Sequence, residues 1–78
     1  MYNKENKILI IGAGGQIGIE LAQELSLLYS PENVIVADLK PILSLPNNPF
    51  EELDVLNKDV LFSVVKKHSI THIYLLAA

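Results

Sequence analysis

The feature that most constrains the fold of this chain is a glycine cluster that separates two apolar segments. All four glycines of the 78-residue sequence lie within seven positions, at residues 12, 14, 15 and 18. The segment before them, Ile8 to Ile11, is a continuous apolar run of the kind that forms a strand covered on both faces of a parallel sheet. The sequence therefore predicts a strand, a tight glycine turn and a helix in direct succession.

The segments after the glycine turn alternate between helix and strand patterns. Apolar residues recur at helical spacing after the turn, and Pro31 lies where a helix cannot easily continue. A buried strand is predicted for 33–37, a proline-rich loop for 39–49, a weaker strand for 50–53 and a last strand for 72–76. Asn57 can cap a second helix. The predicted apolar faces are Ile17, Leu21, Leu25 and Leu28 in the first helix, and Val60, Leu61, Val64 and Val65 in the second.

This element order predicts the fold class. Strands that alternate with helices form a parallel α/β sheet with right-handed crossovers. We expect the strand order 3-2-1-4 with one helix on each face of the sheet, which is about half of a doubly wound fold. The last strand is apolar on both faces, as a central parallel strand is, so we expect the sheet to continue beyond it.

The spacing of the glycines favours a dinucleotide-binding turn. The common Gly-x-Gly-x-x-Gly pattern fails because position 17 is Ile17, whereas a three-residue spacing fits Gly12, Gly15 and Gly18. In such a turn the first glycine permits the tight bend, the second lets the backbone approach a pyrophosphate, and the third allows close helix–strand packing. Backbone N–H groups around Gln16 and Ile17 would then face the phosphates. The alternative is that the glycines serve only the turn.

An acidic residue follows at the position where a ribose-binding carboxylate is expected. Asp38 ends the second strand twenty residues after Gly18, where a carboxylate can accept hydrogen bonds from both ribose hydroxyls of adenosine. A carboxylate there would repel a 2′-phosphate, and Lys40 is the only cation nearby, so NAD is favoured over NADP. The alternative for Asp38 is a solvated turn residue.

Further cofactor contacts are predicted at the ends of the second, third and fourth strands. Asp54 could meet the adenine amino group, although capping of the next helix region explains this residue nearly as well. Small and apolar residues at the end of the last strand could contact the cofactor's ribose, or could simply pack in the core. The predicted cofactor-binding positions of this second group are Leu39, Asp54, Val55, Leu76, Ala77 and Ala78.

Composition excludes several other classes of function. The chain has no cysteine, which rules out a disulfide framework or a thiolate metal site. A net charge of −3 argues against a nucleic-acid partner, and no apolar run approaches the roughly 18 residues of a membrane span. The polar amino terminus lacks the apolar core of a signal peptide, so we expect a cytoplasmic protein. His68 and His72 are not expected to share a helix and so should not form a metal pair.

These residues together resemble the extended branch of the short-chain dehydrogenase/reductases, the NAD-dependent epimerase/dehydratase group. A closer similarity is to the short-chain type of L-threonine 3-dehydrogenase, in the stretches Gly15-Gln16-Ile17-Gly18, Asn33 to Asp38 and Pro49-Phe50. The resemblance implies a Rossmann fold, bound NAD, and oxidation of L-threonine to 2-amino-3-ketobutyrate by a homo-oligomeric parent protein. A nucleotide-sugar epimerase or dehydratase shares the same glycines and acids and stays open as the alternative.

The resemblance also implies a catalytic Tyr-x-x-x-Lys pair, which this chain does not contain. The residues four positions after Tyr2, Tyr29 and Tyr74 are asparagine, asparagine and alanine. We therefore expect residues 1–78 to be the amino-terminal portion of a dinucleotide-binding Rossmann domain, with no catalytic residue of its own. A non-catalytic module that only binds NAD is the further alternative.

Overall fold

A computed structural model describes residues 5–76 as one parallel sheet with a helix on each face. The four strands are β1 (Ile8–Ile11), β2 (Val34–Asp38), β3 (Phe50–Glu52) and β4 (His72–Leu75), and the helices are α1 (Gln16–Tyr29) and α2 (Lys58–His68). Their order in the sheet is β3-β2-β1-β4 and every pair is parallel, as predicted. The predicted strand at 33–37 begins one residue later, because Asn33 belongs to a short 3₁₀ turn over Pro31–Asn33.

The core has two layers because alternate residues of each strand face opposite sides of the sheet. Ile8 and Ile10 of β1 lie in the cluster that packs beneath α1, whereas Leu9 and Ile11 lie in the cluster beneath α2. Both β1 and β2 are buried along almost their whole length. The continuous apolar runs in the sequence therefore reflect strands covered on both faces, which confirms the predicted placement of one helix on each side.

The predicted apolar face of α1 is partly wrong. Ile17 is 74% exposed and Leu28 is 41% exposed, and the buried residues of the helix are Gly18, Ala22 and Leu25. The reason is that α1 begins directly against the end of β1, where only small side chains fit between helix and strand. The face that packs on the sheet is therefore rotated toward the smaller residues, and the large side chain of Ile17 points outward.

The predicted second helix is confirmed in both its cap and its face. The Asn57 side-chain oxygen accepts a hydrogen bond from the Val60 N–H (3.3 Å), so it satisfies one of the unpaired donors of the first turn. Val64 is buried, and Val60, Leu61 and Val65 pack around it. The helix ends at Ser69, whose φ of 54° is the left-handed conformation common at helix ends.

A charged cluster attaches the end of α2 to the edge strand β3. Glu51 Oε2 lies 2.6 Å from His68 Nε2 and 3.0 Å from Lys67 Nζ. The hydrogen bond from His68 is the main reason that the pKa of the Glu51 carboxyl lies below its ordinary value, with Lys67 adding to the effect. This cluster lies away from the glycine turn, and it is a structural connection between helix and sheet.

The loop over 39–49 has no regular helix, as predicted, and one side chain fixes its end. The Asn48 Nδ2 group donates to Ser26 Oγ (2.9 Å) and to the Val34 carbonyl oxygen (2.9 Å), which joins the loop to α1 and β2. At the other side of the sheet, all four residues of β4 are exposed. None of the helices within residues 5–76 is long and apolar enough to cross a membrane.

Candidate cofactor site at the carboxyl end of the sheet

The glycine turn is built around a backbone bend at the end of β1. Gly12 has a φ of 84°, a left-handed conformation that side-chain-bearing residues rarely adopt. In this conformation the N–H groups of Gly12 and Ala13 both point at the carbonyl oxygen of Ala37, at 2.9 and 3.2 Å. The first glycine of the predicted motif is therefore required by the bend, which attaches the turn to β2.

Gly18 allows the close approach of α1 to the turn. A Cβ atom at this buried position would lie 2.6 Å from Ala13 Cα and 2.8 Å from the carbonyl carbon and oxygen of the same residue. These are backbone atoms, so no side-chain rotation could relieve the contact. The third glycine thus has the packing role that its position in the motif predicts.

Gly15 and the first turn of α1 form an open surface that suits an anion. Gly15 is the N-cap of the helix, and a Cβ built on it meets no atom within 4 Å. Among the described residues, no acceptor is bonded to the N–H groups of Gln16 and Ile17, and no acidic residue lies in the first helical turn. Unpaired donors and the positive end of the helix dipole therefore face open space, as a pyrophosphate site requires.

Asp38 lies beside this surface, with its carboxylate held by two backbone donors. Oδ2 accepts a hydrogen bond from the Gly14 N–H (2.9 Å), and Oδ1 accepts one from the Leu39 N–H (2.7 Å). The side chain is only partly buried, so each oxygen can still accept from a bound molecule. The structure thus brings the predicted carboxylate and the predicted glycine turn together.

Gly14 is a site residue that the motif analysis missed. The three-residue spacing uses the other three glycines, so Gly14 stood outside the pattern. A Cβ at this position would lie 2.7 Å from Asp38 Oδ2, so a side chain here would require this carboxylate to move. The sequence signal that could have identified Gly14 is the presence of a fourth glycine in the turn, because the three-glycine motif assigns no role to it.

A cavity of about 480 Å³ opens beside Asp38 and is lined by three of the six positions in the second predicted group. It brings Gly12, Asp38, Leu39, Asp54 and Val55 together at one end of the sheet. The walls are mostly apolar, which suits the flat faces of a heterocyclic base. Sequence reasoning missed four apolar residues of this wall, because they come together only when the strand ends align: Ile11, Leu53, Leu56 and Leu75.

Asp54 lines the cavity and lies in the turn before α2, but the N-cap of that helix is Asn57, so the alternative interpretation of Asp54 as a helix cap is wrong. Its Oδ1 accepts a hydrogen bond from the Leu56 N–H (2.9 Å), and its carbonyl oxygen accepts one from the Asn57 N–H (2.8 Å). These bonds form the turn that leads into the cap of α2. The second carboxylate oxygen of Asp54 has no hydrogen-bond partner among residues 5–76.

The fourth strand ends beside the same edge. The Leu76 N–H donates to the Ile11 carbonyl oxygen (2.9 Å), so this residue lies next to the point where the glycine turn begins. Leu76 itself does not line the 480 Å³ cavity, which Leu75 reaches instead. The predicted positions Ala77 and Ala78 lie outside the described residues.

The two histidines lie in separate places, each with its own partner. His68 contacts Glu51 on β3, whereas His72 Nδ1 lies 2.9 Å from the Thr71 hydroxyl. No group of three or more potential metal ligands occurs among residues 5–76.

Comparison with known proteins assigns the family. The model of the NAD dependent epimerase/dehydratase family matches residues 8–78, which is nearly the whole chain. The chain belongs to this family. A curated relative, an uncharacterized epimerase/dehydratase of Staphylococcus aureus (strain USA300), is 43% identical over 63 residues, which are 77% of this chain and 20% of that protein.

Solved structures of this epimerase/dehydratase type share the same fold. A GalE-like L-threonine dehydrogenase from Cupriavidus necator, in its holo form, is 46% identical with a TM-score of 0.88, over 92% of this chain and 24% of that one. A partial consensus L-threonine 3-dehydrogenase is 51% identical with a TM-score of 0.87, over 92% and 23%. The chain therefore spans about a quarter or less of the proteins it matches.

The residues of this epimerase/dehydratase chain fit the adenosine diphosphate part of NAD. The open surface over Gly15 leaves room for two phosphates at the helix terminus. The Asp38 carboxylate offers acceptors beside them, and the apolar cavity lies on its other side. A helix terminus that suits an anion, a carboxylate with free acceptor positions and an apolar cavity thus follow one another along one edge of the sheet.

Proposed function

We propose that this chain is the amino-terminal, NAD-binding portion of an NAD-dependent oxidoreductase that converts L-threonine to 2-amino-3-ketobutyrate. The observation that carries the cofactor assignment is the Asp38 carboxylate, fixed by two backbone N–H groups beside an anion-binding helix terminus. The substrate assignment is supported by the likeness to proteins named as L-threonine dehydrogenases, at 46% and 51% identity.

In this proposal the pyrophosphate lies over Gly15, against the N–H groups of Gln16 and Ile17. Gly15 contributes the absence of a side chain, since the space above it is open. The helix dipole and the unpaired donors stabilise the two negative charges. Gly12 and Gly18 do not need to contact the ligand, because they set the bend and the helix position that aim these donors.

The adenosine end determines the choice between NAD and NADP. Asp38 accepts hydrogen bonds from the 2′- and 3′-hydroxyls of the ribose, and its negative charge disfavours a 2′-phosphate. Adenine enters the neighbouring cavity between Leu39 and Val55, where the free Asp54 carboxylate oxygen can accept from the adenine amino group. Leu76, Ala77 and Ala78 are proposed to flank the cofactor where β4 leaves the sheet.

The chain's own contribution to the reaction is to bind and orient the cofactor. NAD, when bound, accepts a hydride from the carbon that carries the substrate hydroxyl. The acid–base pair of such an enzyme, a Tyr-x-x-x-Lys, would come from outside residues 1–78. In this proposal the whole protein acts on a small molecule in the cytoplasm as a homo-oligomer, and residues 1–78 are the first portion of its dinucleotide-binding domain.

Titration of the whole protein with NAD and with NADP, followed by calorimetry, tests the cofactor assignment. We expect the wild type to bind NAD more tightly than NADP, and Asp38→Ala to lose about 10-fold or more in NAD affinity, because hydrogen bonds to a charged group contribute about 1.5–3 kcal/mol. NADP affinity should stay constant or rise, since a repulsive charge is removed. Equal losses for both dinucleotides would disprove the ribose role of Asp38.

A nucleotide-sugar epimerase or dehydratase is the second candidate, because the family and the Staphylococcus aureus relative carry that description. The two candidates differ in their net redox balance. Oxidation of L-threonine releases NADH in proportion to product, whereas an epimerase returns its cofactor to NAD in each turnover. NADH accumulation with L-threonine favours the first candidate, and conversion of a nucleotide sugar without net NADH favours the second. NAD binding with neither reaction would indicate a non-catalytic module.

A further inference from the structure

The segment between β3 and α2 forms one side of the cavity that is proposed to take adenine. Four consecutive residues, Leu53 to Leu56, line this cavity, and Asn57 follows as the N-cap of α2. The start of the segment is fixed on the sheet, because the Leu53 N–H donates to the Asp38 carbonyl oxygen (3.0 Å) and the Leu53 side chain is buried. The end of the segment runs directly into the helix, so the position of α2 sets the shape of this side of the cavity.

Core packing alone holds α2 weakly on the side of β3. Of the described residues of α2, only Val64 is buried, whereas α1 buries three. A groove of about 320 Å³ lies between β3 and the helix, and its lining includes Glu51, Asp59 and Ser63. A link of three residues, 69–71, joins the end of the helix to β4, which lies at the opposite side of the sheet from β3. The helix therefore has room to tilt on the side of β3.

The Glu51 carboxylate bridges this groove at the last turn of α2. Its Oε2 lies 2.6 Å from His68 Nε2 and 3.0 Å from Lys67 Nζ. Within the part of the chain that the structure describes, no other side chain of α2 forms an ion pair or a hydrogen bond with another helix or strand. The Glu51 and His68 side chains are only 17% and 20% exposed, so solvent screens their contact less than it screens a surface pair.

The positions of the contacts along α2 connect this bridge to the cavity. At a rise of 1.5 Å per residue, His68 lies about 6 Å beyond Val64, and Asn57 lies about 10 Å before it. If Val64 stays in the core, a tilt that moves the last turn therefore moves the first turn by a larger distance in the opposite direction. Loss of the bridge would then displace Asn57 and the chain that leads into it.

We propose that Glu51 is a positioning residue, which holds the last turn of α2 against β3 and thereby fixes the side of the cavity formed by residues 53–56. Glu51 does not touch the ligand in this arrangement and acts through Asp54. The inference rests on the proposed function, in which Asp54 accepts a hydrogen bond from the adenine amino group. The Asp54 carbonyl oxygen accepts from the Asn57 N–H (2.8 Å), so a displaced helix start would carry this carboxylate with it.

The test measures the binding of NAD and of nicotinamide hypoxanthine dinucleotide to the whole protein by calorimetry. The second ligand has a carbonyl oxygen in place of the adenine amino group, so it cannot donate to Asp54. The wild type should bind NAD about 10-fold or more tightly than this analogue, because a hydrogen bond to a charged group is lost. Glu51→Ala should reduce this preference to less than about 3-fold, since the displaced carboxylate no longer reaches the amino group. Glu52→Ala, at the exposed neighbouring residue, is the matched control and should keep the full preference.

Two further measurements separate a displaced cavity wall from a loss of the fold. The affinity of Glu51→Ala for the hypoxanthine analogue should stay within about 3-fold of the wild type, because this ligand makes no bond to Asp54. His68→Ala removes the bridge from the side of the helix and should lower the same preference. The double variant Glu51→Ala/His68→Ala should behave like Glu51→Ala alone, as expected for residues that act through one contact.

The outcomes distinguish a failure of this inference from a failure of the proposed function. Asp54→Asn should abolish or reverse the preference, because its amide can present a donor to the amino group. If Asp54→Asn does so and Glu51→Ala keeps the full preference, the positioning role is wrong and the cofactor assignment stands. Equal weakening of both ligands in Glu51→Ala also overturns the inference, since it indicates a general disturbance. If the wild type shows no preference, or Asp54→Asn keeps it, the adenine role of Asp54 fails and the inference fails with it.

Discussion

The close contact between α1 and the glycine turn yields a quantitative prediction for Gly18→Ala. The added Cβ would lie 2.6 Å from Ala13 Cα, and ordinary contacts begin at 3.4 Å, so the helix must move by about 0.8 Å. The neighbouring atoms are backbone and both residues are buried, which leaves no side chain that could rotate away. The strain must therefore be distributed over the joint between β1 and α1.

The expected loss of stability follows from two opposing contributions. Overpacking in a buried position costs typically 1–3 kcal/mol, and the rigid backbone here puts the cost at about 3 kcal/mol. Alanine is favoured over glycine inside a helix by about 1 kcal/mol. The net loss in the free energy of unfolding is about 2 kcal/mol, which lowers the folding equilibrium constant about 30-fold.

Urea unfolding of the whole protein measures this loss in the free energy of unfolding. Hydrogen exchange of peptides from β1 and α1 then shows whether the loss is located at the contact between these two elements. Gly14→Ala is the matched control, because its Cβ meets only a rotatable carboxylate, and its free energy of unfolding should stay within about 0.5 kcal/mol of the wild type. If Gly18→Ala were as stable as the wild type, or more stable by the helix-propensity gain alone, the argument from close packing would be refuted.

Two further predictions concern the pyrophosphate surface and the cluster on α2. Gly15→Val should abolish dinucleotide binding and, as a poor N-cap, cost about 1 kcal/mol of stability; unchanged affinity in calorimetry would mean that this glycine serves only the turn. The hydrogen bond from His68 is the main cause that lowers the pKa of Glu51 in the folded state. The ionised Glu51 side chain therefore stabilises the fold above pH 4.5, the ordinary pKa of this group, and this stabilisation is lost as the pH falls through the lowered pKa. Urea unfolding measured from neutral to acidic pH should therefore show a smaller loss of unfolding free energy for Glu51→Gln than for the wild type. Glu52→Gln, at the exposed neighbouring residue, is the control. An equal loss of unfolding free energy on acidification in Glu51→Gln and the wild type would contradict the reasoning.

The strand order and the helix placement could be predicted from the sequence because they depend on alternation and periodicity. Runs such as Ile8 to Ile11 identify strands covered on both faces, the doubly wound pattern supplies the order 3-2-1-4, and right-handed crossovers then put the two helices on opposite faces. The burial of α1 could not be predicted in the same way. A stripe of large apolar residues normally faces the core, but the turn brings the helix too close to β1 for Ile17 to fit there.

In the candidate site, too, features that depend on neighbouring residues could be predicted from the sequence, whereas contacts between distant residues could not. Gly12 and Asp38 were predictable because a backbone bend and a strand-end carboxylate have local sequence signals. The contact between Gly14 and Asp38 was not, since it joins residues 24 positions apart in the chain. The apolar cavity wall, which includes Leu53, Leu56 and Leu75, likewise forms only where the ends of all four strands meet, and no spacing in the sequence marks it.

The carbonyl oxygen of Ala37, which accepts two hydrogen bonds from the glycine turn, affects how the two halves of a dinucleotide would bind. This oxygen binds the N–H groups of Gly12 and Ala13, and the next residue along β2 is Asp38. In the proposed site, the surfaces for phosphate and for ribose are therefore attached to two adjacent residues of β2. Once either half of a dinucleotide has bound, the other half meets its surface at high effective concentration, and little further ordering of the protein is needed.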